Sequence, residues 1–167
     1  MKHFNIVVMG VCGCGKSTVG KILAQEIGAT FVDGDDLHPR ANVEKMQSGV
    51  PLNDEDRMPW LERISDVFFS IARRSCSCVI ACSALKKKCR DELRKSGNII
   101  FIHLHGTKEQ IMQRMNKRSG HYMKENMIDS QFSTLEFPKN EDLVINIDIT
   151  PSIQEVVDTA LNELKKI

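Results

Sequence analysis

The sequence predicts an α/β fold, a doubly wound five-stranded parallel sheet with helices on both faces. Three observations predict it. Short apolar runs alternate with segments of helical periodicity along the whole chain. The runs are continuously apolar, as strands covered on both faces require. A glycine-rich turn, Gly10-Val11-Cys12-Gly13-Cys14-Gly15-Lys16-Ser17, joins the first strand to the first helix. Right-handed crossovers between parallel strands then give the doubly wound arrangement.

The elements follow in order. Phe4 to Met9 reads as a buried strand, and Lys16 to Ile27 as a helix stopped by Gly28. Ala29 to Val32 is the second strand, ending in Asp33-Gly34-Asp35-Asp36. Pro39 fits the first turn of a short helix reaching Gln47. Val50 to Asp56 reads as loop. A longer helix is expected from about Asp56 to Arg73, with Pro59 tolerated in its first turn. Trp60, Leu61, Ile64, Val67, Phe68 and Ile71 give that helix its apolar face. Cys78 to Cys82 is the third strand, and Lys86 to Lys95 a charged helix. Ile99 to Leu104 is the fourth strand. Thr107 with Gln110 makes a capping box for a helix reaching about Lys117. The polar stretch 118–138 is the least regular, with a short helix from about Lys124 to Phe132. Leu143 to Ile147 is the fifth strand. Thr150 reads as an N-cap with Pro151 at the first position of the last helix.

A length of 167 residues suits one domain, residues 1–167. Hydrophobic residues at 41% and charged residues at 27% fit a globular chain. A formal net charge of +1 gives no broad field for nucleic acid or an anionic membrane. No apolar run approaches the ~20 residues of a membrane span. The opening shows no charged leader with a cleavage site, so the cytoplasm is the expected compartment. None of the six cysteines has C-x-x-C spacing, and they are expected to be reduced packing thiols. Cys12 and Cys14 stand at a helix N-terminus, which would lower a thiol pKa and favour oxidation.

The turn from Gly10 to Ser17 has the spacing G-x-x-x-x-G-K-[ST], between strand and helix, of a phosphate-binding loop. Its glycines let backbone N–H groups converge on phosphate, and the following helix N-terminus favours an anion. Gly10, Cys12, Gly13, Cys14, Gly15, Lys16, Ser17 and Thr18 are therefore the expected contacts of a nucleoside triphosphate. Lys16 reaches the outer phosphates and Ser17 can hold Mg²⁺. Ligands of such sheets bind beyond the carboxyl ends of the strands. Asp33 and Asp35 stand there after the second strand. In an extended segment both would face the loop, one toward Mg²⁺ and one toward an attacking hydroxyl. The third strand ends in Cys82-Ser83 rather than a magnesium-linked aspartate, which disfavours a GTPase or motor ATPase. Between the second and third strands lies a polar segment, about 36–61, with His38, Arg40, Asn42, Lys45, Asn53, Asp54, Asp56 and Arg57. Such a mixture suits a polyhydroxylated acid. Arg114 and Arg118 share a helix face leading to a lid, about 118–138, whose basic character His121 continues. His103 and His105 share a strand face without a third ligand of metal-site pattern.

These residues resemble the gluconokinase family, small P-loop kinases related to shikimate and adenylate kinases. The likeness runs the length of the chain. Leu37-His38-Pro39-Arg40, Pro51-Leu52-Asn53-Asp54 and Cys82-Ser83-Ala84-Leu85-Lys86 carry it more specifically than the phosphate loop does. Gln131, Thr134-Leu135-Glu136 and Pro138 continue it. Cys12 and Cys14 depart from it, since the family more often has serine there. The resemblance implies a P-loop kinase fold with a mobile lid and ATP-dependent phosphorylation of D-gluconate at its 6-hydroxyl. It implies Lys16, Asp35 and Arg118 as catalytic residues, and Ser17 and Asp33 at magnesium. Arg114 falls on the nucleotide side. Asp35, His38, Arg40, Arg57, Lys86 and His121 fall on the substrate side, and the loop from Asp148 to Pro151 borders adenine. Such kinases are often homodimers. Two other readings stay open on the residues alone. One is a kinase of another small acceptor, such as shikimate or a nucleotide. The other is a nucleotide-sensing module, which would not need the Asp33 and Asp35 pair.

Overall fold

The computed structural model describes residues 2–119 and 125–167 in backbone and, apart from 118, 119, 125 and 126, in side chain. Five strands form one sheet: β1 Asn5–Met9, β2 Thr30–Asp33, β3 Cys78–Ala81, β4 Ile99–His105 and β5 Val144–Asp148. Their order is β2-β3-β1-β4-β5, and every pairing is parallel. All five carboxyl ends therefore lie on one rim, and the loops leaving them share it. The helices are α1 Lys16–Ile27, α2 Arg40–Gln47, α3 Asp54–Ala72, α4 Lys87–Arg94, α5 Lys108–Ser119, α6 Glu125–Thr134 and α7 Ile153–Leu164. Among the described residues no helix is long and apolar enough to cross a membrane.

Strand alternation sends side chains to two cores. Ile6 and Val8 of β1 pack with Leu23 of α1 and Val157 of α7. Val7 and Met9 face the other way, against Leu61, Ile64 and Phe68 of α3 and Leu93 of α4. Phe68 and Phe101 are fully buried, and burial of each such side chain contributes about 1.5–3 kcal/mol. The continuous apolar runs of β1, β3 and β4 are explained by this: both faces of the central strands are covered.

Three local expectations are corrected. Helix α3 begins at Asp54, not Asp56, so residues 54–56 are helical rather than loop. Asn53 caps it: the Asp56 N–H donates to Asn53 Oδ1 (2.8 Å) and the Asn53 N–H to Asp56 Oδ2 (2.9 Å). Pro59 consequently sits in the second turn, where it forgoes one N–H of the helical ladder. The cap of α7 is Ser152, whose Oγ accepts from the Glu155 N–H at 3.2 Å. Thr150 instead turns back on Asp148 Oδ1, through its N–H and its hydroxyl. Asp33 and Asp35 do not share an extended segment either. Asp33 ends β2, and Gly34–Leu37 form a 3-10 turn capped by Asp33 Oδ1, which accepts from the Asp35 N–H at 3.0 Å. The capping box of Thr107 and Gln110 at the start of α5 is as expected, with both bonds made at 2.8 and 3.2 Å.

Candidate active site

The loop from Gly10 to Ser17 leaves β1 at the centre of the rim. Gly15 has φ +97°, a left-handed conformation that a β-carbon would strain, and it starts α1. Lys16 folds back along the loop, its Nζ donating to the carbonyls of Gly10 (3.0 Å) and Val11 (3.1 Å). The helix-dipole expectation for the two loop thiols fails. Burial pushes both Cys12 and Cys14 up, outweighing the nearby Lys16 charge. Cys14 is fully buried, so its role is packing.

Beyond β2, Asp33 divides its two oxygens. Oδ1 caps the turn, while Oδ2 accepts from Ser17 Oγ at 3.3 Å. A hydroxyl and a carboxylate are hard oxygen donors, the kind that suits magnesium. Asp35 is exposed on the turn. The turn itself is pinned from two sides. Gly34 lies so close to the Ala81 carbonyl of β3 that no β-carbon fits. The Gly34 carbonyl accepts from Trp60 Nε1 of α3 at 2.8 Å. Trp60→Phe keeps the apolar ring but leaves that buried carbonyl unpaired. It is expected to cost about 1–3 kcal/mol of stability, read as a lower Tm; an unchanged Tm would show that the bond contributes nothing.

The acceptor segment is a set of interlocked pairs. His38 stacks on Trp60, with centroids 4.2 Å apart. Asn42 Nδ2 meets His38 Nδ1 (3.2 Å) and donates to the Asp56 carbonyl (2.9 Å). Its second hydrogen directs His38 Nδ1 to accept, which leaves the ring proton on Nε2. Burial pulls His38 below the usual histidine range. Lys45 pairs with Asp56 at 2.6 Å. Asp54 gathers Lys86 (3.2 Å), Lys88 (2.9 Å) and Arg57 (3.6 Å). Hydrogen bonds from Lys88 and then Lys86 hold its carboxyl below the ordinary range.

Two cavities flank the phosphate loop. One, of about 430 Å³, is lined by Gly13, Gly15, Thr18, Arg114, Lys117 and Pro151. Arg114 Nη2 donates to the Ile149 carbonyl at 2.5 Å, which fastens α5 to the loop after β5. The other, of about 120 Å³, is lined by Arg57, Trp60, Ser83, Lys86 and Gln131, among others. Ser83 accepts from the Gly10 N–H (3.2 Å), and Gln131 Oε1 from the Cys12 N–H (3.2 Å), so this cavity also borders the loop. Arg57 and Lys86 both line this cavity. His38 and Arg40 do not line this cavity, and Arg40 is exposed at the start of α2. His121 and the Arg118 side chain lie outside the described residues. Asp54, named above only as one of the polar acceptor segment, gathers the cations of this wall, and Gln131, named only for the family likeness, reaches the phosphate loop. His103 is buried against Phe137 with Nδ1 on Asn146 Oδ1 (2.8 Å), and burial pushes it down to about 4, so it is a neutral packing group. No group of three or more His, Cys, Asp or Glu among the described residues is placed to hold a metal.

A model of the shikimate kinase family matches residues 12–165. The chain is 44% identical over 156 residues to the thermosensitive gluconokinase of Escherichia coli K12, covering 92% of this chain and 83% of that one. It is 45% identical over 166 residues to the thermoresistant gluconokinase of the same strain, covering 98% and 95%. Its structure matches that of a gluconokinase from Sinorhizobium meliloti 1021 with a TM-score of 0.90 and 41% identity, over 99% of this chain and 94% of that one. Likeness of this extent, on the same sheet and across nearly the whole length, means that the chain belongs to the shikimate kinase family and, within it, to the gluconokinases.

Proposed function

We propose that the chain transfers the γ-phosphoryl group of ATP to the 6-hydroxyl of D-gluconate, giving 6-phospho-D-gluconate and ADP. The observation that carries this is the pair of cavities on either side of one phosphate loop, one beside α5 and one lined by Arg57 and Lys86. Each has a distinct chemistry. The larger offers glycine backbone and Arg114 to a nucleotide. The smaller offers two cations to a carboxylate and polar groups, Ser83 and Gln131, to hydroxyls. In this reading the whole chain acts as one kinase domain, with an acceptor segment at about 36–61 and a lid at about 118–138. Arg118 and His121 serve on the lid, and His38 and Arg40 on the acceptor side.

The bond from the γ-phosphorus to the ADP oxygen breaks as the gluconate oxygen bonds to phosphorus, and the hydroxyl proton leaves toward Asp35. Lys16 neutralises charge on the transferring group. Ser17 and Asp33 would hold magnesium, which when bound spreads the charge of the phosphate oxygens. The transition state is loose, so Asp35 mainly orients the hydroxyl. The activity is expected in the cytoplasm, with a second copy of the chain as its partner.

A coupled ADP-release assay tests the reading with gluconate, shikimate and nucleoside monophosphates as acceptors. Turnover is expected with gluconate alone. Tight ATP binding without turnover on any acceptor would favour a sensor, and preference for shikimate would move the substrate.

A further inference from the structure

Arg90, on α4, is completely buried and takes no part in the chemistry above. Each of its five N–H donors meets an oxygen. Nε reaches Glu141 Oε1 (3.0 Å), and Nη2 reaches Glu141 Oε2 (2.8 Å) and the Glu136 carbonyl (2.9 Å). Nη1 reaches the carbonyls of Ala84 (2.8 Å) and Leu85 (3.0 Å). Glu141 is itself nearly buried and also takes Arg94 at 2.9 Å. These two cations, Arg90 first, hold its carboxyl below the usual range.

Two chain segments meet on this one guanidinium. The first, 83–87, leaves β3 and carries Ser83, Ala84, Leu85 and Lys86 to the smaller cavity. The second follows α6, which carries Ser130, Gln131 and Thr134 to the same cavity. The segments also bond each other. The Glu136 N–H donates to the Leu85 carbonyl (2.8 Å), and the Lys87 N–H to Glu136 Oε1 (2.9 Å). Ala84 is held at φ +45°, a left-handed conformation that costs a residue with a β-carbon and persists only where its surroundings impose it. A buried ion pair is a poor device for stability, since apolar replacement often does as well. It is a good device for geometry. A planar fork can hold two segments at one separation, whereas a lysine ammonium is a point charge.

We propose that Arg90, braced by Glu141, is a positioning residue that sets the spacing between the two walls of the acceptor cavity. It touches no reactant and acts through Ser83, Lys86 and Gln131. The proposal rests on reading that cavity as the gluconate site.

Arg90→Lys keeps the charge and removes the fork. The KM for gluconate is expected to rise about tenfold, while the dissociation constant for ADP stays within about twofold. Hydrogen exchange at the Lys87 and Glu136 amides is expected to quicken about tenfold, with the β1 and β3 amides still protected. Loosening of all these amides together, or a wild-type gluconate KM in the folded variant, would overturn the proposal. Should Arg90→Lys not accumulate as folded protein, Glu141→Gln is measured in the same way, with the same expected and overturning results. Turnover of gluconate by the wild-type chain is measured first. Its absence defeats the reading of the cavity, while the two loop amides still decide whether Arg90 fixes the walls.

Discussion

Lys16→Ala is expected to lower kcat by about 10²–10³-fold, with a much smaller change in nucleotide affinity. The ammonium has two partners within the loop, the carbonyls of Gly10 and Val11. A bound triphosphate therefore gains from Lys16 only what phosphate oxygens offer beyond those carbonyls. The difference is modest in the ground state. It grows as the γ-phosphoryl group moves and its charge spreads toward the ADP oxygen, and interactions that strengthen on the way to the transition state appear in kcat. The backbone N–H groups and the start of α1 survive the substitution and continue to bind phosphate. Lys16→Arg is not expected to restore the rate, because a broad planar guanidinium does not replace a compact charge in so narrow a loop. Single-turnover phosphoryl transfer, with ADP binding measured alongside, separates the two effects. A near-normal kcat would mean that the phosphoryl group passes elsewhere.

The parts of this site that a linear reading reaches are those whose chemistry is local. The phosphate loop is one, since its spacing and its place between β1 and α1 are visible along the chain. The sheet is another: the apolar runs of β1, β3 and β4 reflect coverage on both faces. What depends on partners distant in sequence is hidden. Arg90 stands in a charged helix among Lys87, Lys88 and Arg94, and nothing local marks it as the one enclosed by Ala84, Leu85, Glu136 and Glu141. Trp60 reads as one more apolar residue of α3, yet its N–H pins the turn at Gly34 across 26 positions. The loop thiols show the same limit. Helix position alone argues for a lowered pKa, but desolvation depends on neighbours such as Ile111 and Met115 that pack around the loop from elsewhere. The 3-10 turn at Gly34–Leu37 is hidden differently. Asp-Gly-Asp after a strand is compatible with continued extension, and the Ala81 and Trp60 contacts select the turn.

That turn gives its two aspartates different surroundings. Asp35→Asn is expected to slow phosphoryl transfer by about 10²-fold and to leave ATP affinity within about twofold. In an extended segment the two aspartates would share an orientation, and altering one would disturb the other. In the turn their duties are separate. Asp33 uses Oδ1 for the cap and Oδ2 toward Ser17, whereas Asp35 contributes only its backbone N–H to that cap. Asparagine keeps that N–H and the side-chain shape, so the turn and Asp33 remain in place. It loses the carboxylate that would accept the hydroxyl proton, and it can present an amide donor where an acceptor is required. The loss sits at the low end for a general base, because a loose transition state asks the base chiefly to orient. Asp33→Asn provides the contrast: it changes the oxygen beside Ser17 and is expected to weaken the magnesium dependence of the rate as well. Transfer rates and ATP dissociation constants for the two variants decide the matter. If Asp35→Asn abolished ATP binding while transfer in the bound fraction stayed at the wild-type rate, Asp35 would belong to the nucleotide and the acceptor base would have to be sought elsewhere on the rim.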